Sequence, residues 1–347
     1  MQFHRVVKIF WITALFCAVV SICAVSFFLI IQPQAPPITF PDGKKFGFSI
    51  FDDTDGAKLE RIKPVYEYLH TLGIKTTKSV WALPQNVSTG FEDSGDTLEN
   101  PEYVTYLQWL QQNGFEIAYH SARAVSSTRI QQEKALNLYF EKLGAYPSIH
   151  VNHSNNRDNL YWGGDRLNNF ILKALYNLRM PENKGHFLGH VPGTEYFWGD
   201  IAEKRVTYVR NFAFNEINTY KINPSMPYHD PTRPYVKYWF SSAAASGVQS
   251  FNTLISSDNL DQLEREGGVC IVYTHFAYHF VDAGGQLNSV TRERLKDLAS
   301  RNGYFVPVSK MLDFLRTRKE SDGKIPWTEQ AYLQIRWIFE KIFHIGY

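Results

Sequence analysis

Three aspartates, Asp52, Asp53 and Asp55, stand directly behind an apolar run in which Phe46, Phe48, Ile50 and Phe51 read as a buried strand. A second apolar run, led by Phe115, Ile117 and Tyr119, ends at His120, and a third, Val269–Thr274, ends at His275. Aspartate and histidine are the side chains that hold a divalent cation and move protons near neutral pH. Carboxylates and imidazoles at the carboxyl ends of parallel strands are where α/β folds place such chemistry. Adjacent carboxylates behind a core strand are costly unless a cation, an arginine or a reaction uses them. The plainer alternative is that Asp52–Asp55 cap the next helix.

The elements that would position these groups follow a strand–helix rhythm. Leu59, Ile62, Tyr66 and Leu69 share a helix face, with Gly73 as a stop and Pro64 either in the first turn or at a kink. Thr76–Trp81 reads as a strand. Asn100-Pro101 opens a helix that Gly114 ends, and Thr128 with Gln131 fits a capping box for a helix running to Leu143. Pro147–Val151 is a further strand, ending in the polar stretch Asn152–Gly163, and Asp165–Arg179 is helical. His186–Val191 and Val206–Phe212 are strand candidates, and Val269–Thr274 is the clearest late strand. Tyr304–Val308 and Met311–Leu315 close the series. The stretch Gly193–Gly247, dense in proline, tyrosine and tryptophan, reads as long loops on the active face. About seven or eight βα units result, best read as a closed barrel of parallel strands, with an open doubly wound sheet as the alternative. No G-x-G-x-x-G follows the first strand, so a dinucleotide fold has no support.

Composition narrows the function classes. Of 347 residues, 44% are hydrophobic and 20% charged, enough apolar content for a packed core. The net charge of +2 gives no argument for nucleic acid. Aromatics reach 15%, which suits a sugar-binding groove or a surface near a membrane as well as an ordinary core. The three cysteines, Cys17, Cys23 and Cys270, make neither a disulfide framework nor a metal site.

The run Ile9–Ile31 is uninterrupted by charge and long enough to cross a bilayer at about 1.5 Å per residue. Arg5 and Lys8 precede it and the linker Gln32–Pro37 follows, so a single-pass anchor with a cytoplasmic N-terminus is expected. A cleaved signal peptide is the competing reading, weakened by the length of the run and the lack of an A-x-A site. The expected organisation is a cytoplasmic N-terminus over 1–8, an anchor over 9–31, a linker over 32–44, the barrel over 45–318 and a helical tail over 319–347. In that tail Tyr332, Ile335, Phe339 and Ile342 share a face, which either covers the barrel or touches the membrane surface.

The motif FDDTDG after the first strand and GFEIAYHS after the third resemble the polysaccharide deacetylase family, whose motifs have the forms TFDDG and H-[ST]-x-x-H. The late strand ending in a histidine, VYTHF at Val272–Phe276, is similar as well, and the resemblance spans Phe46–Leu315. It implies a deformed (β/α) barrel and one divalent metal ion, usually zinc, that serves to remove acetyl groups from sugars. By position it implies Asp52 as catalytic base, Asp53 and His120 as metal ligands, and His275 as the acid that protonates the leaving group. The family's second metal histidine falls at Ala124. Because a catalytic zinc usually keeps three protein ligands, His153, which follows its own strand, is the best substitute and Asp55 the second. His153 as an ordinary loop histidine is the other reading.

Arg210 is a candidate for holding Asp52 ionised, or else a surface ion pair. Trp81, Trp162 and Trp198 are candidates for stacking on sugar rings, against core packing, and His229 is a candidate substrate contact. His279 would share a face with His275 only if that stretch were helical. The expected activity is a membrane-anchored, metal-dependent deacetylase whose partner is an extracytoplasmic acetylated polysaccharide. The loss of the second histidine leaves a second reading open, a catalytically degenerate glycan-binding or scaffolding module. A glycoside hydrolase ranks last, because no second strand-end acid accompanies Asp52 and Asp53.

Overall fold

Burial on both faces makes a strand read as a continuous apolar run. Every residue of β1 (Phe46–Asp52) is buried in the computed structural model, which describes residues 28–85, 95–319 and 323–343. The strands that follow are β2 (Thr77–Trp81), β3 (Glu116–Ser121), β4 (Ile149–His150), β5 (Tyr208–Phe214), β6 (Tyr238–Ala244), β7 (Val269–Thr274) and β8 (Gly303–Phe305). All pair in parallel, in the order β2-β3-β4-β5-β6-β7-β1-β8, and β2 also pairs with β1. That last pairing closes β1–β7 into a seven-stranded ring. β8 meets the start of β1, at Phe46–Phe48, while β2 meets its end, at Phe51 and Asp52. The architecture is therefore an α/β barrel, and the open-sheet alternative falls.

Alternation along the strands sorts the core into two shells. Phe51, Ala118, Ile149, Val151, Tyr208 and Ile271 pack inside the ring, closed below by Met311 and Leu312 of the helix Val308–Thr317. Phe46, Phe48, Ile50, Val80, Ile117 and Val272 face outward onto the surrounding helices. Gly47 lies where that lower helix presses closest: a Cβ there would stand 2.7 Å from the Met311 side chain.

Local signals formed the expected helices. Asn100 accepts the Glu102 and Tyr103 amides at the head of Pro101–Gln112. Thr128 and Gln131 make their capping box at the head of Arg129–Leu143. Leu59–Thr71 buries Ile62, Val65, Tyr66 and Leu69, with Pro64 inside the helix.

Four expectations are corrected. His186–Val191 forms turns instead of a strand. The stretch Gly193–Gly247 is not all loop, because it contains the whole of β6. Ser241–Ala244 are small residues with no aliphatic period, yet they are buried between β5 and β7. Pro147–Val151 contracts to the two residues of β4, and Asp165–Arg179 to a 3-10 turn, Gly163–Arg166, followed by a helix, Phe170–Arg179.

The tail helix Trp327–Phe343 lies on the barrel, burying Tyr332, Leu333, Trp337 and Ile338. Phe28 stacks on Tyr332 at 4.8 Å, so the first described residues lie against this helix. The expected anchor Ile9–Ile31 falls outside the described residues up to position 27. Among the described residues no helix is long and apolar enough to cross a membrane.

Candidate active site

The alternation that sorts the core also decides which chemical groups reach the barrel mouth. On β1, Asp52 shares the outward face of Phe46, Phe48 and Ile50. Asp53 shares the inward face of Phe51. His120 continues the inward face of Ala118, Arg210 that of Tyr208, His275 that of Ile271, and His153 that of Ile149 and Val151. Asp53, Asp55, His120, His153, Arg210 and His275 accordingly line one cleft of about 770 Å³ at the carboxyl ends of the strands.

Asp52 does not reach that cleft. Its carboxylate is fully buried behind the strand, where it accepts the Tyr66 hydroxyl at 2.9 Å and the Phe276 amide at 2.8 Å. Lys78 Nζ, equally buried, lies 3.3 Å away. Burial raises the Asp52 carboxyl, and Lys78 opposes that rise. The base role that the resemblance implies for Asp52 thus has no access to a substrate. The same alternation that separates the two aspartates could have been read from the sequence, because Phe46, Phe48 and Ile50 announce the outward set.

Asp53 takes the arginine instead. Arg210 grips it with two parallel hydrogen bonds, Nη1 to Oδ1 at 3.0 Å and Nη2 to Oδ2 at 2.6 Å. Tyr273 lies under the guanidinium at 4.4 Å.

Asp55 is the centre of the cluster. Its Oδ1 is 3.1 Å from His153 Nε2, and its Oδ2 is 2.8 Å from His275 Nε2 and 3.7 Å from His120 Nε2. Burial alone would raise this carboxyl, but the three imidazoles hold it well below the usual range. His275 directs Nδ1 to the Ser246 carbonyl at 2.6 Å, which requires a proton there. Protonation of Nε2 would place a cation against Asp55. Burial works against that charge, yet hydrogen bonding to Asp55 raises His275 above the ordinary imidazole value. The Tyr278 ring stacks on His275 at 4.5 Å.

Burial chiefly lowers His120, and among the described residues neither of its ring nitrogens has a hydrogen-bond partner. A buried imidazole in that state is costly, and a metal ion is one ligand that could satisfy it. His153 is oriented for the same task, since Asn156 Oδ1 meets its Nδ1 at 3.2 Å and leaves Nε2 facing Asp55. Two ligand sets therefore overlap at Asp55. Asp53, Asp55 and His275 bring ligand atoms within 4.8 Å of one another. Asp55 also reaches His153 at 3.1 Å and His120 at 3.7 Å, a wider second set, while Asp53 is engaged by Arg210.

The other sequence candidates separate. Trp81 is buried outside the cleft lining and packs edge-on against His120 at 4.5 Å and His153 at 5.1 Å, holding the imidazoles in place. Trp198 is a core residue whose Nε1 donates to the Asp158 carbonyl, so it cannot stack on a sugar. Trp162 does line the cleft. His229 faces the Lys237 carbonyl away from it. His279 sits in a turn with φ of 62°, not on a helix with His275. Ala124, where the family's second histidine would stand, is buried. Asp55 was named in the sequence only as a second choice, and Arg166, a buried residue of the cleft wall, was not singled out at all. Both lie beyond the ends of strands, where no periodicity marks them.

No family model and no curated protein matches the chain. Among solved structures, Puue allantoinase overlaps 83% of this chain and 96% of its own, with a TM-score of 0.47 and 11% identity. The peptidoglycan deacetylase PdaC from Bacillus subtilis overlaps 81% of this chain and 95% of its own, with a TM-score of 0.37 and 10% identity. A mutant of a CE4 family pseudoenzyme with restored activity overlaps 81% of this chain and 73% of its own, with a TM-score of 0.36 and 11% identity. With TM-scores below 0.5 and identities of 10–11%, these likenesses carry no chemistry of their own.

Proposed function

We propose that the chain is a metal-dependent hydrolase that removes acetyl groups from an extracytoplasmic polysaccharide. The observation that carries this reading is Asp55 set among three imidazoles at the floor of a cleft, beside an aspartate clamped by an arginine. Asp55, His120 and His153 are the residues that would hold a divalent cation, zinc by the nature of the donor set. Bound there, such an ion supplies Lewis acidity to the acyl carbonyl.

The remaining residues divide the proton work. Arg210 orients Asp53 through its two hydrogen bonds, and an Asp53 carboxylate oxygen facing the cleft can take a proton from the attacking water. The Ser246 carbonyl and Asp55 orient His275, whose Nε2 can hand a proton to the departing amine or hydroxyl. Trp162 offers an aromatic face at the cleft wall for a sugar ring. Asp52 and Lys78 take no part in the transfer.

The reading includes attachment to a membrane by the run Ile9–Ile31. Its last residues continue into the packed segment at Phe28, against the helix whose Trp337 lines the cleft. The helix Phe170–Arg179, which adds Tyr176 and Arg179 to the cleft wall, exposes Phe170, Ile171, Leu175 and Leu178.

Metal content and acetate release, measured on the full chain with a panel of acetylated glycans, test the proposal. Asp55→Asn and His120→Ala should each remove metal and activity together. Asp53→Asn should keep the metal and lose about 10²–10⁴ in rate, the usual contribution of a positioned base. If His275→Ala strips the metal while His120→Ala leaves it, the Asp53–Asp55–His275 set is the true one. Binding of glycan without acetate release from any of them, by a protein without metal, would establish the degenerate binding module instead.

A further inference from the structure

Arg166 is a buried cation for which the cleft provides no acid. It ends the 3-10 turn entered from Trp162 and lines the same cleft as Asp55. Its guanidinium carbon lies 3.2 Å from the Trp162 ring centre and 5.0 Å from that of Trp337. Among the described residues its Nε has no hydrogen-bond partner; the Tyr176 and Tyr273 phenols favour its charge, and Arg210 opposes it. Lys341, on the same cleft wall, adds a further like charge. The acids of the cleft are already committed. Asp53 is bound to Arg210 and Asp55 to the imidazoles. Glu340 accepts from Arg336 at 2.9 Å and from the Asn215 amide at 2.9 Å.

A buried charge without a counter-ion is costly, and aromatic faces recover only part of that cost. Burial accordingly pushes the Arg166 guanidinium down to about 9. Among the described residues Trp337 Nε1, from the second flanking ring, also lacks a partner. Two residues of one cleft wall thus each carry a buried donor without an acceptor, which an oxyanion of the ligand would supply. A guanidinium fork matches the two oxygens of a carboxylate or a phosphate.

We infer that the cleft selects glycans bearing an oxyanion, a uronate carboxylate or a phosphate, and that Arg166 between Trp162 and Trp337 is the group that binds it. This rests on the glycan reading above and adds the substrate's charge to it.

Calorimetric binding by the full chain in detergent tests the inference, in the Asp53→Asn background so that turnover does not intrude. The probes are a neutral N-acetylated chitooligosaccharide, an acetylated oligosaccharide containing uronic acid, and an acetylated oligosaccharide carrying phosphate. The expected result is at least about tenfold tighter binding of one acidic probe than of the neutral one, a preference that weakens with salt. The tighter acidic probe identifies the oxyanion. Arg166→Gln should abolish the preference, bringing the acidic probes to the affinity of the neutral one. Equal binding of all three probes, or a preference that survives in folded Arg166→Gln protein, overturns the inference. If Arg166→Gln does not fold, Arg166→Lys decides. It keeps the charge but loses the fork, so a preference reduced about threefold or more supports the inference and an unchanged one overturns it. Acetate release is not the readout, so failure here and failure of the deacetylase reading are separate outcomes.

Discussion

At Asp52 and Asp53, two bonded neighbours are separated by the barrel wall, because successive strand residues point to opposite faces. Asp53 meets Arg210 in the cleft, and Asp52 meets Lys78 and Tyr66 behind it. A buried ion pair gives little net stability relative to an apolar pair, but breaking one side of it is expensive. Asp52→Asn keeps the shape and strands Lys78, so it should cost about 3–5 kcal/mol of folding stability. Denaturant unfolding reads that loss, while metal content at native conditions should be unchanged. The double change Asp52→Asn with Lys78→Met should recover most of it. A stable Asp52→Asn protein that had lost only its turnover would return the base role to Asp52 and remove it from Asp53.

Among the elements, the connection after β4 decides the most, because it carries His153 without the support of a long strand. It is tied down by its own polar groups. Asn152 accepts the Leu160 amide and donates to the Leu160 carbonyl, and Asp158 accepts from the Ser127 amide, the Ser121 hydroxyl and the Gln132 amide. Gly189 lets a second loop approach this one, since a Cβ there would fall 2.0 Å from the Asp158 carbonyl oxygen. Burial outweighs the hydrogen bonds at Asp158 and lifts its carboxyl from 3.8 to about 6. A raised folded value means that the native state binds the proton more tightly than the unfolded chain. The resulting stability is fully present below pH 3.8 and is lost as the pH rises through about 6. A shift of roughly two units corresponds to about 3 kcal/mol. Unfolding free energies of the wild type, referred to those of Asp158→Asn, should therefore fall by about that amount between pH 4 and pH 7. Parallel curves for the two proteins would show that Asp158 is ionised in the fold at no cost.

For the molecule as a whole, closure of the ring gathers side chains from β3, β5 and β7, and from the segments beyond β1, β4, β6 and β7, onto one rim. The rim also receives Trp337 from the tail helix, and that helix meets Phe28, where the described chain begins. An anchor over Ile9–Ile31 would therefore deliver the chain directly to the cleft side of the barrel. With basic residues before the run, the barrel should lie outside the membrane. Protease added to intact cells or spheroplasts should digest the protein beyond about Pro37, since that segment is then exposed to the outside. Protection of the barrel under those conditions would reverse the topology, and a mature N-terminus near Ala35 would show cleavage instead of anchoring.

What the residue order determined by itself was local. The caps at Asn100 and Thr128, the buried runs of β1 and β7, the barrel rhythm and the chemical groups at the strand ends are set by neighbours a few positions away. Even the division between Asp52 and Asp53 was present in the alternation of Phe46, Phe48 and Ile50. The tertiary structure decided what depends on distant partners. β6 is a strand because β5 and β7 flank it, although Ser241–Ala244 carry no apolar period. Trp162 lines the cleft while Trp198 is sealed beneath it, a difference that burial creates and residue type does not. Asp55 became the hub because the turn after β1 lies across the mouth of the closed ring, within reach of imidazoles contributed by β3 and by the segments after β4 and β7. A loop position has no period to announce its direction, so only ring closure could assign it.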